Sequence, residues 1–210
     1  MPISSKKSLN KLKEEIINCK KCLDLVKTRK QPVPGIGGPN SKVMLVGGSP
    51  NEKGSEQSGI PYENNDSGKL IRKILKEAKL SLDIDTYITY LVKCTPRKTI
   101  KKEGQPQVKL SKPTAKHINN CINYLTEEIS IITPHIIISL GLDISNTILR
   151  NFFSVEKDFK DISKLHMRIF ENPSFKLVPF FSPEDVRIGL ISEEKFIEDF
   201  KALAKLLSII

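Results

Sequence analysis

Apolar residues along the chain recur at two alternating spacings. From Ser8 to Asn18, Leu9, Leu12, Ile16 and Ile17 fall at helical intervals and predict a short amphipathic helix. A Pro/Gly-rich stretch from Gln31 to Asn40 cannot be helical. The run from Lys42 to Gly47 is then almost wholly apolar and closes on glycine, as suits a strand buried on both faces. A polar, Gly-rich loop over 48–66 leads to Ser67, the expected cap of a helix reaching about Lys79. The pattern repeats in kind. Thr86 to Lys93 reads as a strand, 95–112 as a basic loop, Pro113 to Ile129 as a helix and His135 to Leu140 as a buried strand closed by Gly141. Residues 143–152 read as helical, Phe175 to Phe181 as a fourth strand, and Ser192 to Leu207 as a last amphipathic helix. Alternating strands and helices predict one α/β domain over residues 1–210, a three-layer α/β/α sandwich around a mostly parallel four-stranded sheet. Such sheets bind ligands beyond the carboxyl ends of their strands, so 47–66, 94–112 and 181–188 are expected on one rim.

Composition narrows the class. The 210 residues carry 34 Lys and Arg against 24 Asp and Glu, a net charge of +10. No run of 18 apolar residues is present, which argues against a membrane-spanning helix and a membrane partner. The Lys-rich stretch from Met1 to Lys13 lacks the apolar core of a secretory signal. The expectation is a soluble, cytoplasmic, monomeric protein. Its positive excess suits a polyanionic partner, because Lys and Arg that neutralise phosphates release counterions. A dense Lys/Glu surface is the alternative source of such charge.

Four cysteines stand out: Cys19 and Cys22 as a C-x2-C pair, then Cys94 and Cys121. The first pair lies in a polar Asn-Cys-Lys-Lys-Cys-Leu stretch, poor surroundings for core packing. Disulfides are disfavoured in an intracellular chain, so the four thiols read as a metal site. Zinc and an iron–sulfur cluster both accept four thiolates, and spacing does not separate them.

Taken in order, these segments resemble the family 4 uracil-DNA glycosylases, which carry a [4Fe–4S] cluster. The resemblance rests on the C-x2-C after a first helix and on Val33-Pro-Gly-Ile-Gly-Gly-Pro-Asn-Ser-Lys-Val-Met-Leu-Val-Gly47. It continues through Ser58-Gly-Ile-Pro-Tyr62, Ser67-Gly-Lys-Leu70 and Tyr87-Ile-Thr-Tyr-Leu-Val-Lys-Cys-Thr-Pro96. Pro134-His-Ile-Ile-Ile-Ser-Leu-Gly141 and Val178-Pro-Phe-Phe-Ser-Pro183 complete it. It implies that Cys19, Cys22, Cys94 and Cys121 hold the cluster and that DNA, single- or double-stranded and carrying deaminated bases, is the partner. A nucleoid-associated location follows from the same resemblance.

The chain departs from the family at its catalytic positions. Where the family reads Gly-Glu-Ala-Pro-Gly, this chain has Gly47-Gly48-Ser49-Pro50-Asn51, so Gly48 stands at the carboxylate position. Tyr90 replaces the Asn that reads the uracil edge, Ser182 replaces the His that stabilises the departing uracil anion, and Tyr62 replaces the stacking Phe. The resemblance thus puts Gly48 and Ser182 at catalytic positions and lines the substrate pocket with Gly47, Ser49, Pro50, Tyr62 and Tyr90. A preorganised donor aimed at the developing anion is worth roughly 10²–10³ in rate, so excision is expected to be weak or lost.

The DNA-holding parts are retained. Ser67 and Gly68, at an expected helix start, offer backbone N–H groups to a phosphate. Lys93, Arg97, Lys98, Lys101 and Lys102 begin the basic segment, which Lys109 and Lys112 extend. Ser-Pro-Glu-Asp-Val-Arg187 matches the family's duplex wedge, with Pro183 and Arg187 as DNA contacts and Val186 or Ile188 as the wedge. The basic segment is similar to the insertion of uracil-trapping relatives, but no His lies between Cys94 and Pro113 to form their covalent bond. The histidines read as incidental: His117 on a helix surface, His135 opening a strand and His166 in a variable stretch. Asp66, Glu184 and Asp185 are expected near the rim. Three activities remain: a DNA-binding protein with attenuated excision, a glycosylase that stacks another damaged base between Tyr62 and Tyr90, or a non-catalytic partner of repair or replication proteins.

Overall fold

The computed structural model describes residues 2–82, 84–102 and 105–207. Four parallel strands form the centre of its main sheet: β2 (Val43–Gly47), β3 (Thr86–Tyr90), β6 (Ile136–Leu140) and β8 (Lys176–Phe180). Two short antiparallel strands, β1 (Ile36–Gly37) and β7 (Phe170–Glu171), extend the edges to six in the order β1-β3-β2-β6-β8-β7. The expected four strands are therefore the parallel core of a larger sheet. All five residues of β2, β3 and β6 are buried; β2 and β6 accordingly read as almost continuous apolar runs, whereas β3 also buries Thr86 and Thr89.

The helices are α1 (Pro2–Ile17), α2 (Leu23–Val26), α3 (Ser55–Ser58), α4 (Asp66–Glu77), α5 (Ala115–Ile132), α6 (Leu142–Phe152), α7 (Pro183–Arg187) and α8 (Glu193–Leu207). α1 packs on α5, and α4 on α8. Right-handed crossovers put α4 on one face, because β2 leads leftward to β3. They put α5 and α6 on the other, because β3 leads to β6 and β6 to β8. No helix among the described residues is long and apolar enough to cross a membrane. Leu9, Leu12 and Ile16 bury one stripe of α1 in the core, while Ile17 is exposed. Under α8, the rings of Phe196 and Phe200 lie edge-on to Phe180 at 6.0 and 5.7 Å. Each such side chain contributes about 1.5–3 kcal/mol through burial.

Two expectations need correcting. The helix after the polar loop is capped by Asn65 and not by Ser67: Asn65 Oδ1 accepts from Gly68 N–H at 2.7 Å. Residues 95–112 are not an irregular loop but a β-hairpin, β4 (Arg97–Lys102) paired with β5 (Gln105–Leu110) in a sheet of its own.

Candidate functional site

The chain connection reverses direction between β2 and β6, the point at which open α/β sheets place their ligands. Gly48 leaves β2 there, Gly141 leaves β6, and Ser182 follows β8. Ile144 joins them: a methyl group at Gly48 would lie 3.5 Å from Ile144 Cδ1, and one at Gly141 the same distance from that atom and 3.3 Å from Ser182 Cβ. A cavity of about 280 Å³ opens beside Gly48, walled by Leu91, Ile118 and Ile144 and rimmed by Lys112, Asp143 and Arg150.

On the β3 side of this rim, space is filled. Tyr62 and Tyr90 lie against each other with ring centroids 5.0 Å apart, tilted by 37°. Both are buried. A Cβ on Gly47 would sit 2.1 Å from Tyr62 Oη and 3.0 Å from Tyr90 Cδ1, so only glycine lets this ring lie down on the strand end. The Tyr90 hydroxyl accepts from Tyr62 N–H at 2.9 Å and lies 3.0 Å from Ser55 Oγ. Burial pushes the Tyr90 phenol up to about 12, against the opposing pull of those hydrogen bonds. Tyr62 adopts a positive φ of 56°, uncommon for a side chain of this size. It is held by the Tyr90 hydroxyl on its N–H and by Arg72 Nη1 on its carbonyl at 2.6 Å. Gly68 closes the arrangement, since a Cβ there would come within 1.7 Å of Tyr62 O.

Ser182 is occupied by its own turn. Its hydroxyl donates to Asp185 Oδ2 at 2.8 Å and accepts from Asp185 N–H at 3.1 Å, a capping box at the start of α7. Behind it stands His166, which accepts the Phe181 N–H on Nδ1 at 3.3 Å and lies 3.0 Å from Asp199 through Nε2. The ring packs between Phe180 and Phe181. This imidazole thus braces the strand end from the core side. His117 is not on a helix surface: it is 3% exposed, with Nε2 2.8 Å from Asp24 Oδ2. His135 is exposed at the opposite end of the strands, where it opens β6.

The four cysteines lie on neighbouring segments, with no three of them, among the described residues, drawn together as tightly as metal ligands. Cys94 and Cys121 each lie close enough to other cysteines to feel their charge, Cys94 to Cys121 and Cys19, and Cys121 to Cys22 and Cys19. Arg29 Nη1 donates to Cys94 Sγ at 3.0 Å, and its Nη2 to the Cys19 carbonyl. Asn120 Nδ2 donates to Cys22 Sγ at 3.3 Å. Burial pushes the Cys94 thiol up to about 12, with Arg29 pulling it back. Four thiols, two of them with N–H donors on sulfur, supply the ligand types of a thiolate-held zinc or iron–sulfur group.

The basic residues divide. Lys93 is 1% exposed and faces the core, where Nζ meets Glu128 Oε2 and Tyr90 O at 2.7 Å each and Thr89 Oγ1 at 2.6 Å. It is not available to a DNA phosphate. Arg97 is likewise committed, its two Nη atoms 2.8 and 2.5 Å from the carboxylate of buried Glu56, and Nη2 3.2 Å from Glu52. These ion pairs raise the Arg97 guanidinium further above its ordinary value, Glu56 dominating. Lys98 and Lys101 stay exposed, while the side chain of Lys102 lies outside the described residues. Ser67 and Ser49 are half-buried, and Pro50 and Pro183 buried. Arg187 is exposed and pairs with Glu184. Val186 packs against the core, leaving Ile188 and Leu190, 57% and 60% exposed, as the projecting apolar residues of that turn. Glu56, Glu128 and Arg29 carried no signal in the sequence. Each is one more charged residue in a polar stretch until the fold buries it.

Comparison with known proteins identifies the family of the fold. Residues 34–201 match the uracil DNA glycosylase superfamily. The chain is 29% identical over 203 residues to a type-4 uracil-DNA glycosylase of Archaeoglobus fulgidus, covering 95% of this chain and 93% of that protein. It is 31% identical over 204 residues to the type-4 uracil-DNA glycosylase of Sulfurisphaera tokodaii, covering 95% and 84%. With that of Saccharolobus solfataricus it shares 34% over 134 residues, covering 64% and 56%.

Proposed function

The chain belongs to the uracil-DNA glycosylase superfamily, and on that premise we propose that it is a DNA-binding, [4Fe–4S]-carrying member whose uracil excision is weak or lost. The contact between Tyr62 and Tyr90 carries this reading, because the two positions that by resemblance stack on and read a flipped base are here packed against each other. Glycosylases extrude their base into a shaped pocket and identify it by hydrogen bonds to its edge. Here the Tyr90 hydroxyl is spent on Tyr62 N–H and Ser55. Negative charge on a departing base needs a donor aimed at it. Gly48 has no side chain, and the Ser182 hydroxyl is turned to Asp185.

The thiols of Cys19, Cys22, Cys94 and Cys121 would hold the cluster. When bound, it would cross-link the end of α1, the exit of β3 and the middle of α5. The N–H groups of Arg29 and Asn120 would offset its sulfur charge. The resemblance to the iron–sulfur glycosylases favours a cluster over zinc.

The direct test is a single-turnover assay of the purified protein on uracil-containing single- and double-stranded DNA, alongside an active type-4 enzyme. Product below one hundredth of that enzyme's rate is expected. Excision at a comparable rate would overturn the reading. A panel of deaminated and oxidised bases tests the alternative in which the tyrosines stack another base. With rings 5.0 Å apart in contact, no product is expected from any of them.

A further inference from the structure

The hairpin holds charge in an arrangement that its own stability does not explain. Residues 95–112 carry six basic side chains against Glu103, a net +5 and half of the chain's +10. The register sets Lys98 directly opposite Lys109, with Ile100 and Gln107 as the next pair on the same face. Directly opposed like charges destabilise an antiparallel pair. Both lysines are exposed, and neither has an acidic partner among the described residues, unlike Lys112, which pairs with Asp143 at 3.0 Å.

The other face, with Arg97, Thr99, Val108 and Leu110, is the one tied down, because Arg97 turns into Glu56 and Glu52. The Lys98–Lys109 face is turned away from that anchor. At the foot of the hairpin, Lys27, Lys98 and Lys112 border a groove of about 770 Å³ shared with α2. Its acidic lining residue, Asp24, is engaged by His117.

We propose that the hairpin is a phosphate-gripping ribbon for duplex DNA, with Lys98 and Lys109 against the backbone and Lys27, across the groove, taking a neighbouring phosphate. The inference rests on the DNA-binding reading above and assigns it a second element, distinct from the base pocket. A two-stranded ribbon fits the major groove of B-DNA, about 12 Å wide. Single-strand binders instead stack bases on aromatic rings. Residues 95–112 contain no aromatic residue, so the hairpin can grip a backbone and has nothing on which to stack bases. The repulsion within the Lys98–Lys109 pair, unfavourable in the free protein, is relieved once each ammonium faces its own phosphate.

The test is fluorescence anisotropy of the full chain, purified with its cofactor, on a labelled uracil-free duplex and on the matching single strand across a salt series. Wild type is compared with Lys98→Gln/Lys109→Gln and with Val108→Gln on the opposite face. The double variant is expected to flatten the slope of log affinity against log salt on duplex by about 1.8, at about 0.9 per phosphate contact. Val108→Gln should leave the slope unchanged. Thermal melting of the double variant should match or exceed wild type, since a repulsive pair has been removed. A steep wild-type slope that the double variant retains would overturn the hairpin inference and leave DNA binding standing. A slope change on single strands alone would overturn the duplex assignment. No salt-dependent binding by wild type would overturn the DNA-binding reading itself.

Discussion

Lys93 is a lysine that charge counting assigns to DNA and the fold assigns to the core. Its ammonium sits 2.7 Å from Glu128 Oε2, with side chains 2% and 0% exposed. Lys93→Met removes the ammonium and leaves the Glu128 carboxylate buried, with only Tyr87 Oη at 3.2 Å and the Thr89 hydroxyl at 3.0 Å as donors. Breaking one side of a buried pair costs about 3–5 kcal/mol. For a chain of this size each kcal/mol moves the melting point by about 2–4 °C, so a drop of roughly 6–20 °C is expected. Lys93→Met/Glu128→Leu replaces both charges by apolar groups and should recover most of it, because such exchanges are often near neutral. Differential scanning calorimetry of the wild type, both singles and the double measures the coupling. Lys101→Gln, an exposed control, should shift stability by no more than about 0.5 kcal/mol. Should Lys93→Met melt within 2 °C of wild type while weakening DNA binding, the core assignment is wrong and the side chain reaches the nucleic acid.

Other expectations follow from the same contacts. Ser182→Ala deletes the α7 cap and should destabilise the protein by about 1 kcal/mol, read as a denaturant-midpoint shift. Arg97→Ala leaves Glu56 buried without its guanidinium, so limited proteolysis should cut within 95–112 well before wild type is cleaved. Burial raises the Asp199 carboxyl, but Lys195 at 2.6 Å and His166 outweigh it and hold its folded value below the ordinary range. Stability from Asp199 is therefore complete above the unfolded value, near 3.9, and lost as pH falls through the lower folded one. Asp199→Asn should lose part of that acid sensitivity in pH-dependent melting. Cys121→Ala should abolish the visible absorbance of the purified protein and loosen the packing of α1 on α5, seen as faster amide exchange in α1.

Much of the fold is legible because double-sided burial leaves a plain trace. β2 and β6 are runs in which every residue is covered and nearly every one is apolar, and β3 is covered with β-branched and aromatic residues that favour strands. The edges are not legible. β1 and β7 are two residues each and are defined by a neighbour, not by any pattern of their own. The hairpin leaves no such trace, because all six residues of β5 are exposed and Val108 and Leu110 are its few apolar marks. The cap of α4 is not legible within Asn64-Asn65-Asp66-Ser67, where each residue is a good N-cap by type and only backbone geometry selects Asn65.

Residue types alone establish that position 48 carries no carboxylate, 90 no amide and 182 no imidazole. Those absences are covalent facts and survive any folding. What fills the space is a matter of three dimensions. Tyr62 and Tyr90 are 28 positions apart, and their rings meet because the polar loop folds back over the end of β3 onto a bare Gly47. Chain folding likewise divides the lysines between core and surface, since a buried ammonium is tolerated only where a carboxylate such as Glu128 is brought to meet it.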